Sequence, residues 1–352
     1  MYRLVQRRGI IGLFCLLFVA SSVVPGWAQK DNRFEVSKNL DIFNSLLKEV
    51  EMFYVDSVDV DKTVQRGIEA MLAGLDPYTE YYPEQKTEEL SLMTTGEYGG
   101  IGSLIRQRNN EGGVMIAEPT EGMPADLAGL KPGDLILAID TIDVSKATNS
   151  RVSELLKGVP NTKMVLTIQR PGEKKPRKFE ITRKQITTPQ VTYYGIKDDS
   201  IGYIYLKAFT IKSAQEVKEA FLDLKKNHNI KSLVLDLRGN GGGVLEGAVQ
   251  IVGMFVPKGS EVLSTKGKIK QWDRTYRTST EPLDTVMPLA ILINGGTASA
   301  AEIVSGSLQD MDRAVLVGQR SFGKGLVQAP RDLPYNGKVK ITMSKYLSLI
   351  HI

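Results

Sequence analysis

The segment KSLVLDLRGNGGGVLEGAVQIVGMF, residues 231–255, decides the fold of this chain. An apolar run leads through a glycine-rich turn into a second apolar run with helical spacing, which predicts a buried strand followed directly by a helix, here from Val244 to Phe255. Five further segments continue this alternation. The predicted strands are SIGYIYL (200–206), PLAILIN (288–294) and RAVLVGQ (313–319). The predicted helices are SAQEVKEAFLDLKKN (213–227) and ASAAEIVSGSLQD (298–310). The pattern predicts a layered α/β domain.

Two regions with other residue patterns precede this domain. Residues 34–56 and about 60–74 have apolar positions at helical spacing and predict a helical leader. Between Tyr98 and Ile186, short β-type runs separated by Gly, Pro and Asn predict a second, β-rich domain. Its predicted strands are 99–107, 113–119, 134–140 and 163–170, and its predicted short helices are 125–130 and 150–158.

The first 28 residues have the composition of a secretory signal. Arg3, Arg7 and Arg8 precede an apolar run of about 15 residues, which is shorter than the ~20 needed to span a bilayer, and small residues follow up to Ala28. We expect cleavage after Ala28 and export, most simply to a periplasm. The alternative is an uncleaved segment that anchors the chain to the inner membrane. Cys15, the only cysteine, lies in this run, so the mature chain would have no thiol for disulfides, metal sites or nucleophilic catalysis.

The charge pattern gives no sign of a nucleic-acid partner. The formal net charge is +5 over 352 residues, it includes the signal arginines, and the other basic residues are mixed with acidic ones. The densest basic stretch, RPGEKKPRK (170–178), contains Pro and Gly and predicts a solvated hairpin turn in preference to a phosphate site.

Ser299 and Lys324 are the candidate catalytic pair. The chain has only two histidines, His228 and His351, and neither is placed like a triad member, so a serine nucleophile here would need a desolvated lysine as its base. Each residue also has an ordinary explanation: Ser299 with Glu302 three residues later forms a capping box, and Lys324 could be an exposed loop lysine.

Three features bear on this choice. The run Gly241–Gly243 could offer backbone N–H groups to an oxyanion, or it could be only a tight turn. Gln328 could orient the amine of Lys324. Ser321 and Lys324 also spell the Ser-x-x-Lys motif of penicillin-recognising enzymes, but the companion SDN and KTG motifs do not occur in the sequence.

Taken together, DLRGNGGG, GGTASAAEIVSGSLQD and GQRSFGKGLVQ resemble the C-terminal processing peptidases, or tail-specific proteases, and GLDPYTEYY and GEYGGIGSLI extend the resemblance over residues 35–346. It implies an α/β fold with a crotonase/Clp-protease-like layered core, an inserted β-rich PDZ domain and the helical leader. We therefore divide the chain into a signal peptide (1–28), a helical region (29–90), a PDZ domain (91–186), a serine peptidase core (187–346) and a tail (347–352) that we expect to be truncated or non-native.

The same resemblance implies roles for individual residues. Ser299 would be the nucleophile, Lys324 the base and Gln328 a support. The oxyanion would be bound by the N–H of Ala300 and that of Gly242 or Gly243, a choice that the sequence leaves open. In the PDZ domain, the loop formed by Gly99, Gly100, Ile101 and Gly102 would receive a substrate's C-terminal carboxylate, although an ordinary turn remains the alternative, and the next strand would pair with the peptide.

We expect an exported serine endopeptidase that binds accessible C-terminal tails of proteins and requires no metal or organic cofactor. The alternative is a non-catalytic PDZ adaptor or chaperone on a degenerate protease core. The apolar face of residues 34–53 needs a partner, which could be a second copy of the chain or its own core.

Overall fold

The computed structural model describes residues 33–108, 112–198 and 200–347. It consists of two compact units, residues 1–68 and 69–352. The first unit contains helix α1 (Arg33–Phe53) and the start of α2 (Val60–Ala73), the two helices predicted for the leader. The predicted signal segment lies outside the described residues, as does the predicted tail apart from Leu347. Within the described residues, no helix combines the length and apolarity needed to cross a membrane.

The second unit starts with a β-rich region built around one antiparallel sheet. Its elements in chain order are β1 (Glu80–Tyr82), α3 (Thr87–Thr95), β2 (Glu97–Gly100), β3 (Ser103–Gln107), β4 (Val114–Pro119), α4 (Pro124–Leu127), β5 (Leu135–Ile139), β6 (Ile142–Asp143), α5 (Asn149–Leu156), β7 (Lys163–Gln169), β8 (Arg177–Thr182) and β9 (Lys184–Thr187). Five strands form the sheet in the order β3-β4-β5-β7-β8, β6 pairs with β5, and β2 pairs with β9. A separate apolar core receives alternate side chains of β4 and β7, and Ile136 and Ile139 of β5, where the strand register shifts.

The basic stretch 170–178 begins in the turn between β7 and β8, which confirms the predicted hairpin turn. Its first residue, Arg170, donates two hydrogen bonds of 2.8 Å to the fully buried carboxylate of Asp134. This cation therefore neutralises a buried acid of the β-rich core.

The layered region follows with elements β10 (Val191–Lys197), β11 (Ile201–Leu206), α6 (Ser213–Asn227), β12 (Ser232–Asp236), α7 (Leu245–Val252), β13 (Glu261–Gly267), β14 (Arg274–Arg277), β15 (Leu289–Ile293), α8 (Ala300–Asp310), β16 (Val315–Gly318), β17 (Leu326–Asp332) and β18 (Lys338–Leu347). One sheet has the order β10-β11-β12-β15-β16, in which β11, β12, β15 and β16 are parallel and β10 is an antiparallel edge. A second sheet has the order β1-β18-β13-β14, with β17 also on β18.

Helices α6, α7 and α8 share one apolar core with both sheets. Its members include Leu235 of β12, Phe221 of α6, Ile251 of α7, Val304 of α8 and Tyr346 of β18. The apolar runs recognised in the sequence are the strands of the parallel sheet and the buried faces of these helices. This agrees with the predicted layered α/β core.

Candidate active site

Three loops at the carboxyl ends of the parallel strands form the candidate site. We call them the glycine turn (237–244, after β12), the serine loop (294–299, after β15) and the lysine loop (319–325, after β16). Because β12, β15 and β16 are parallel neighbours, their carboxyl ends lie side by side: Asp236 pairs with Leu292, and Ile293 pairs with Gly318. Ligands of open α/β sheets bind at this edge.

Hydrogen bonds join the three loops. The Thr297 hydroxyl donates to the Leu237 carbonyl at 2.8 Å, and the Ala298 N–H donates to the Asn240 carbonyl at 2.9 Å. The Phe322 N–H in turn donates to the Thr297 carbonyl at 2.9 Å. The serine loop is therefore fixed from both sides, and the position of Ser299 depends on both of its neighbours.

Ser299 lies at the start of α8 in a strained backbone conformation. It is only 7% exposed, and its φ of 55° is unfavourable for a residue with a side chain. Gly242 packs against Ser299 and must be glycine, because a Cβ added there would lie 2.7 Å from the Ser299 Cβ and 2.9 Å from the Ala300 nitrogen. A serine held this way at a strand-to-helix turn has the geometry of a nucleophile elbow.

The carboxylate of Glu302 connects Ser299 to the lysine loop. One oxygen accepts the N–H of Ser299 at 2.7 Å and the N–H of Lys324 at 2.9 Å. The other accepts the N–H of Gly323 at 2.6 Å and the hydroxyl of Ser321 at 2.7 Å. Glu302 was predicted only as half of a capping box, and its role in placing the lysine loop was not predicted.

Burial and a nearby positive charge make the Lys324 amine easier to deprotonate than a solvated lysine. Burial lowers the pKa of Lys324 from its usual value, and the positive charge of Lys340 lowers it further. The carboxylates of Glu80, Asp76 and Glu302 oppose these effects, but the net direction is downward. A lysine with a lowered pKa is better suited to accept a proton at neutral pH than a solvated one.

The Lys324 amine contacts a ring that the sequence analysis did not single out. Its Nζ lies 4.3 Å from the centre of the Tyr78 ring, a cation–π contact that favours the protonated amine. The amine is not hydrogen-bonded to Ser299, whose Oγ instead has the Tyr346 hydroxyl as partner at 3.4 Å. Both tyrosines lie far from Ser299 along the chain, so no local pattern links them to it, although Tyr78 belongs to the quoted segment GLDPYTEYY.

The N–H groups of the predicted oxyanion hole differ in their partners. Ala300 is the first residue of α8, and among the described residues its N–H has no recorded acceptor, as expected at a helix start. The Gly242 N–H donates to the Asn240 side chain at 2.9 Å, whereas the Gly243 N–H has no recorded acceptor in the same part of the chain. The hydrogen bonding therefore favours Gly243 over Gly242.

Gln328 lies on β17, and the hydrogen bond of its side chain goes to Thr342 and not to the lysine amine. Its side-chain nitrogen donates to the Thr342 hydroxyl at 3.1 Å. The Thr342 N–H donates to the Thr79 hydroxyl, which donates to Asp76 at 2.8 Å. Because this chain of contacts ends in the turn that carries Tyr78, Gln328 is linked to Lys324 only indirectly.

Ser299 and Lys324 line the same cleft, with a volume of about 330 Å³. Glu302 and Tyr346 are also in its wall, and apolar side chains complete it: Leu263, Ile293, Ile303, Leu316 and Phe322. His228 lies at the end of α6, near Asp223, and does not line this cleft.

The predicted carboxylate-binding loop lies in the β-rich region. Gly99 and Gly100 end β2, and Ile101 and Gly102 connect it to β3. No acceptor within the described ranges is recorded for the N–H groups of Ile101 and Gly102. A small groove beside them is also lined by Lys157, the residue after α5.

Comparisons with known proteins match the layered region and the β-rich region to separate families. The profile of peptidase family S41 matches residues 200–350, and a PDZ domain profile matches residues 115–170. Among solved structures, the photosystem II D1 C-terminal processing protease is 29% identical, with a TM-score of 0.48, over 87% of this chain and 82% of that one. The PDZ domain of a carboxy-terminal protease from Vibrio cholerae, in complex with a peptide, is 26% identical over 26% of this chain and 99% of that one, with a TM-score of 0.24.

Curated relatives carry protease names. A carboxy-terminal-processing protease of Bartonella bacilliformis is 34% identical over 94% of this chain and 75% of its own length. The carboxy-terminal processing protease CtpA of Bacillus subtilis is 30% identical over 88% of this chain and 65% of its own length. A probable CtpA-like serine protease of Staphylococcus aureus is 33% identical, and the chain spans 61% of that relative. These relatives do not favour the non-catalytic adaptor. The chain belongs to the carboxy-terminal processing proteases of peptidase family S41, serine proteases that carry a PDZ domain.

Proposed function

We propose that this chain is an endopeptidase in which Ser299 is the nucleophile and Lys324 the base. The observation that carries the proposal is the convergence of three loops from adjacent parallel strands on one cleft. They bring together a buried, strained serine, a lysine whose pKa is lowered, and the N–H groups of Ala300 and Gly243, which have no acceptor among the described residues.

In the proposed reaction the Lys324 amine leaves the Tyr78 ring and turns toward Ser299. The Ser299 hydroxyl proton passes to the neutral amine while Oγ bonds to the substrate carbonyl carbon. The N–H groups of Ala300 and Gly243 bind the oxyanion, and the leaving amine then takes the proton from Lys324 as the peptide C–N bond breaks. Water, deprotonated by Lys324, releases the acyl group. Gln328 supports this arrangement through Thr342.

Cleavage of an unfolded reporter protein tests these roles. We expect Ser299→Ala and Lys324→Ala each to lower kcat by at least ~10³-fold, because a nucleophile and its base act as a unit. Ser91→Ala and Lys338→Ala, both outside the cleft, should cleave at the wild-type rate. Equal cleavage by the wild type and Ser299→Ala would refute the serine mechanism.

We further propose that the PDZ domain holds a substrate tail by its terminal carboxylate. The N–H groups of Ile101 and Gly102 would bind it, and the strand β3 would pair with the peptide. Lys157 supplies the positive charge beside this loop; its Nζ lies 5.4 Å from the centre of the Tyr98 ring. The apolar floor at Ile101 and Leu156 favours an apolar last residue.

Peptide binding distinguishes this mode from non-specific contact. A peptide with an apolar last residue and a free carboxylate should bind at least ~10-fold more tightly than its amide, and Lys157→Gln should weaken binding of the free acid several-fold, with little effect on the amide. Lys178→Gln, a charge change on β8, is the matched control. Equal affinity for acid and amide would refute carboxylate recognition.

Export is the third part of the proposal. It rests on the arginines and the apolar run of residues 1–28. We expect the mature chain to begin at Gln29 in the periplasm, which N-terminal sequencing of the fractionated protein tests. An N-terminus that keeps residues 1–28 in the membrane fraction would indicate the anchored alternative, and a full-length cytoplasmic chain would refute export.

A further inference from the structure

The hydroxyl of Tyr346 contacts the proposed nucleophile. It lies 3.4 Å from Ser299 Oγ, and both residues are buried, with exposures of 4% and 7%. A buried hydroxyl usually has a hydrogen-bond partner, and these two hydroxyls contact each other. A serine/lysine mechanism does not by itself require a tyrosine here, so the contact calls for an explanation.

The position of this hydroxyl is fixed by the strand that carries it. Tyr346 lies near the end of β18, opposite Thr265 of β13. Its N–H donates to the Gly325 carbonyl at 2.9 Å, one residue from Lys324, and its ring belongs to the core of the layered region. The same residue therefore touches the serine through its side chain and holds the lysine loop through its backbone.

The ionisation of Tyr346 defines what its hydroxyl can do. Burial raises the pKa of Tyr346, while the same effect lowers the pKa of Lys324. The phenol thus holds its proton more tightly, and the lysine amine holds its proton less tightly, than the same groups in water. Tyr346 can therefore donate a hydrogen bond to Ser299 but cannot replace Lys324 as the base.

We propose that Tyr346 is a further catalytic residue: its hydroxyl donates to Ser299 Oγ, fixes the orientation of that side chain and stabilises the negative charge that develops on Oγ. During the attack the Ser299 O–H bond breaks, an N–H bond forms on Lys324, and Oγ bonds to the carbonyl carbon. Tyr346 keeps its own proton throughout. Catalytic hydrogen bonds are often long in a free enzyme and shorten in the transition state, which accounts for the 3.4 Å separation. The inference rests on the function proposed above.

The substitution Tyr346→Phe tests the hydroxyl alone, since the ring remains. We expect a loss of about 10- to 100-fold in kcat on the unfolded reporter and in the rate at which a fluorophosphonate modifies Ser299, with KM unchanged within two-fold. Tyr276→Phe, which removes a hydroxyl from a partly buried tyrosine packed on the same core, is the matched control and should retain both rates. Rates for Tyr346→Phe within two-fold of the wild type would overturn the proposal.

A second measurement separates chemistry from packing, and applies even if the phenylalanine variant does not fold. 3,5-Difluorotyrosine at position 346 keeps the shape of the side chain but ionises at lower pH. We expect the rate of Ser299 modification to fall at alkaline pH as this phenol loses its proton, whereas the same replacement of the exposed Tyr194 on β10 should not change the pH profile. Matching profiles for the two proteins would refute donation by Tyr346. If Ser299→Ala reacts as fast as the wild type, the proposed function fails and this inference fails with it.

Discussion

Replacement of Glu302 should uncouple the two halves of the active site. Its two carboxylate oxygens accept four hydrogen bonds, three from backbone N–H groups and one from a hydroxyl. Glu302→Ala removes all four acceptors. Glu302→Gln keeps one carbonyl oxygen, which can still bind two of the four donors. Its NH₂ group then has two possible orientations. It faces either the N–H groups of Ser299 and Lys324, or the N–H of Gly323 and the hydroxyl of Ser321.

The orientation in which the NH₂ group of the Glu302→Gln variant faces Gly323 and Ser321 costs less free energy than the other. The Ser321 hydroxyl can rotate to accept a hydrogen bond from the amide, which leaves only the Gly323 N–H opposed by another donor. An unsatisfied buried group costs about 1–3 kcal/mol, and water can reach the partly exposed Glu302. We therefore expect a loss of about 2 kcal/mol in the free energy of unfolding for Glu302→Gln and about 4 kcal/mol for Glu302→Ala.

Activity should fall further than stability. Without the carboxylate, the lysine loop loses the contacts that place Lys324 relative to Ser299, and a displacement near 1 Å costs about 10²-fold in rate. Urea unfolding and reporter cleavage measure the two effects separately. The control is Glu281→Gln, which changes an exposed residue whose ion pair with Lys258 spans 3.6 Å and should change neither stability nor cleavage. If Glu302→Gln matched this control in stability and in cleavage, the coupling role of Glu302 would be wrong.

Three further predictions concern charge and backbone. Lys340→Gln removes a positive charge that lowers the pKa of Lys324, so the rise of kcat/KM with pH should move to higher pH in a pH–rate profile. Gly243→Ala should lower the free energy of unfolding by at least about 3 kcal/mol in urea and abolish cleavage, because its Cβ would lie 2.0 Å from the Phe209 carbonyl oxygen. Burial opposes ionisation of Asp284, but its ion pair and hydrogen bonds lower its pKa to about 2, so Asp284→Asn should cost about 2 kcal/mol at pH 7 and flatten the loss of stability between about pH 4 and pH 2.

Each of these has a matched control in the chain. Lys338→Gln changes the same charge on β18 but should leave the pH profile unchanged. Gly241→Ala should be tolerated, since a Cβ there meets no atom within 4 Å. Asp41→Asn, at an exposed position on α1, is the control for Asp284→Asn. If a variant behaves like its control, the assigned cause is wrong, whether charge repulsion, close approach or a stabilised carboxylate.

The sequence predicted the elements that carry the three loops because each has a strong local signal. β12 and β15 are continuous apolar runs, typical of parallel strands that are covered on both faces, and glycine-rich turns mark where they end. Parallel neighbours place their carboxyl ends together, which accounts for the closeness of the glycine turn and the serine loop. Their joint role was implied by the family resemblance and not by a local pattern.

The second sheet left no comparable signal. β13, β14, β17 and β18 mix charged and apolar residues, and β1 pairs with β18 through contacts such as Glu80 with Lys340, which lie far apart in the chain. No local pattern specifies such a pairing. This sheet carries Tyr346 to the cleft, and its strand β1 follows the turn that places Tyr78 against Lys324. The side chains that contact Lys324 and Ser299 were therefore the part of the site that the sequence could not reveal.

Capping and catalysis, which the sequence presented as alternatives for Ser299, are compatible in the structure. A positive φ at a serine is costly and persists only where the surroundings fix it. Here the Glu302 carboxylate holds the Ser299 N–H, as a capping residue does, and the same carboxylate holds the backbone of Lys324. The contact that caps the start of α8 thus also sets the spacing between the proposed nucleophile and its base. Because the Ser299 N–H and backbone are already fixed, the remaining freedom at this residue is the rotation of its side chain, which is the motion that the Tyr346 hydroxyl restricts.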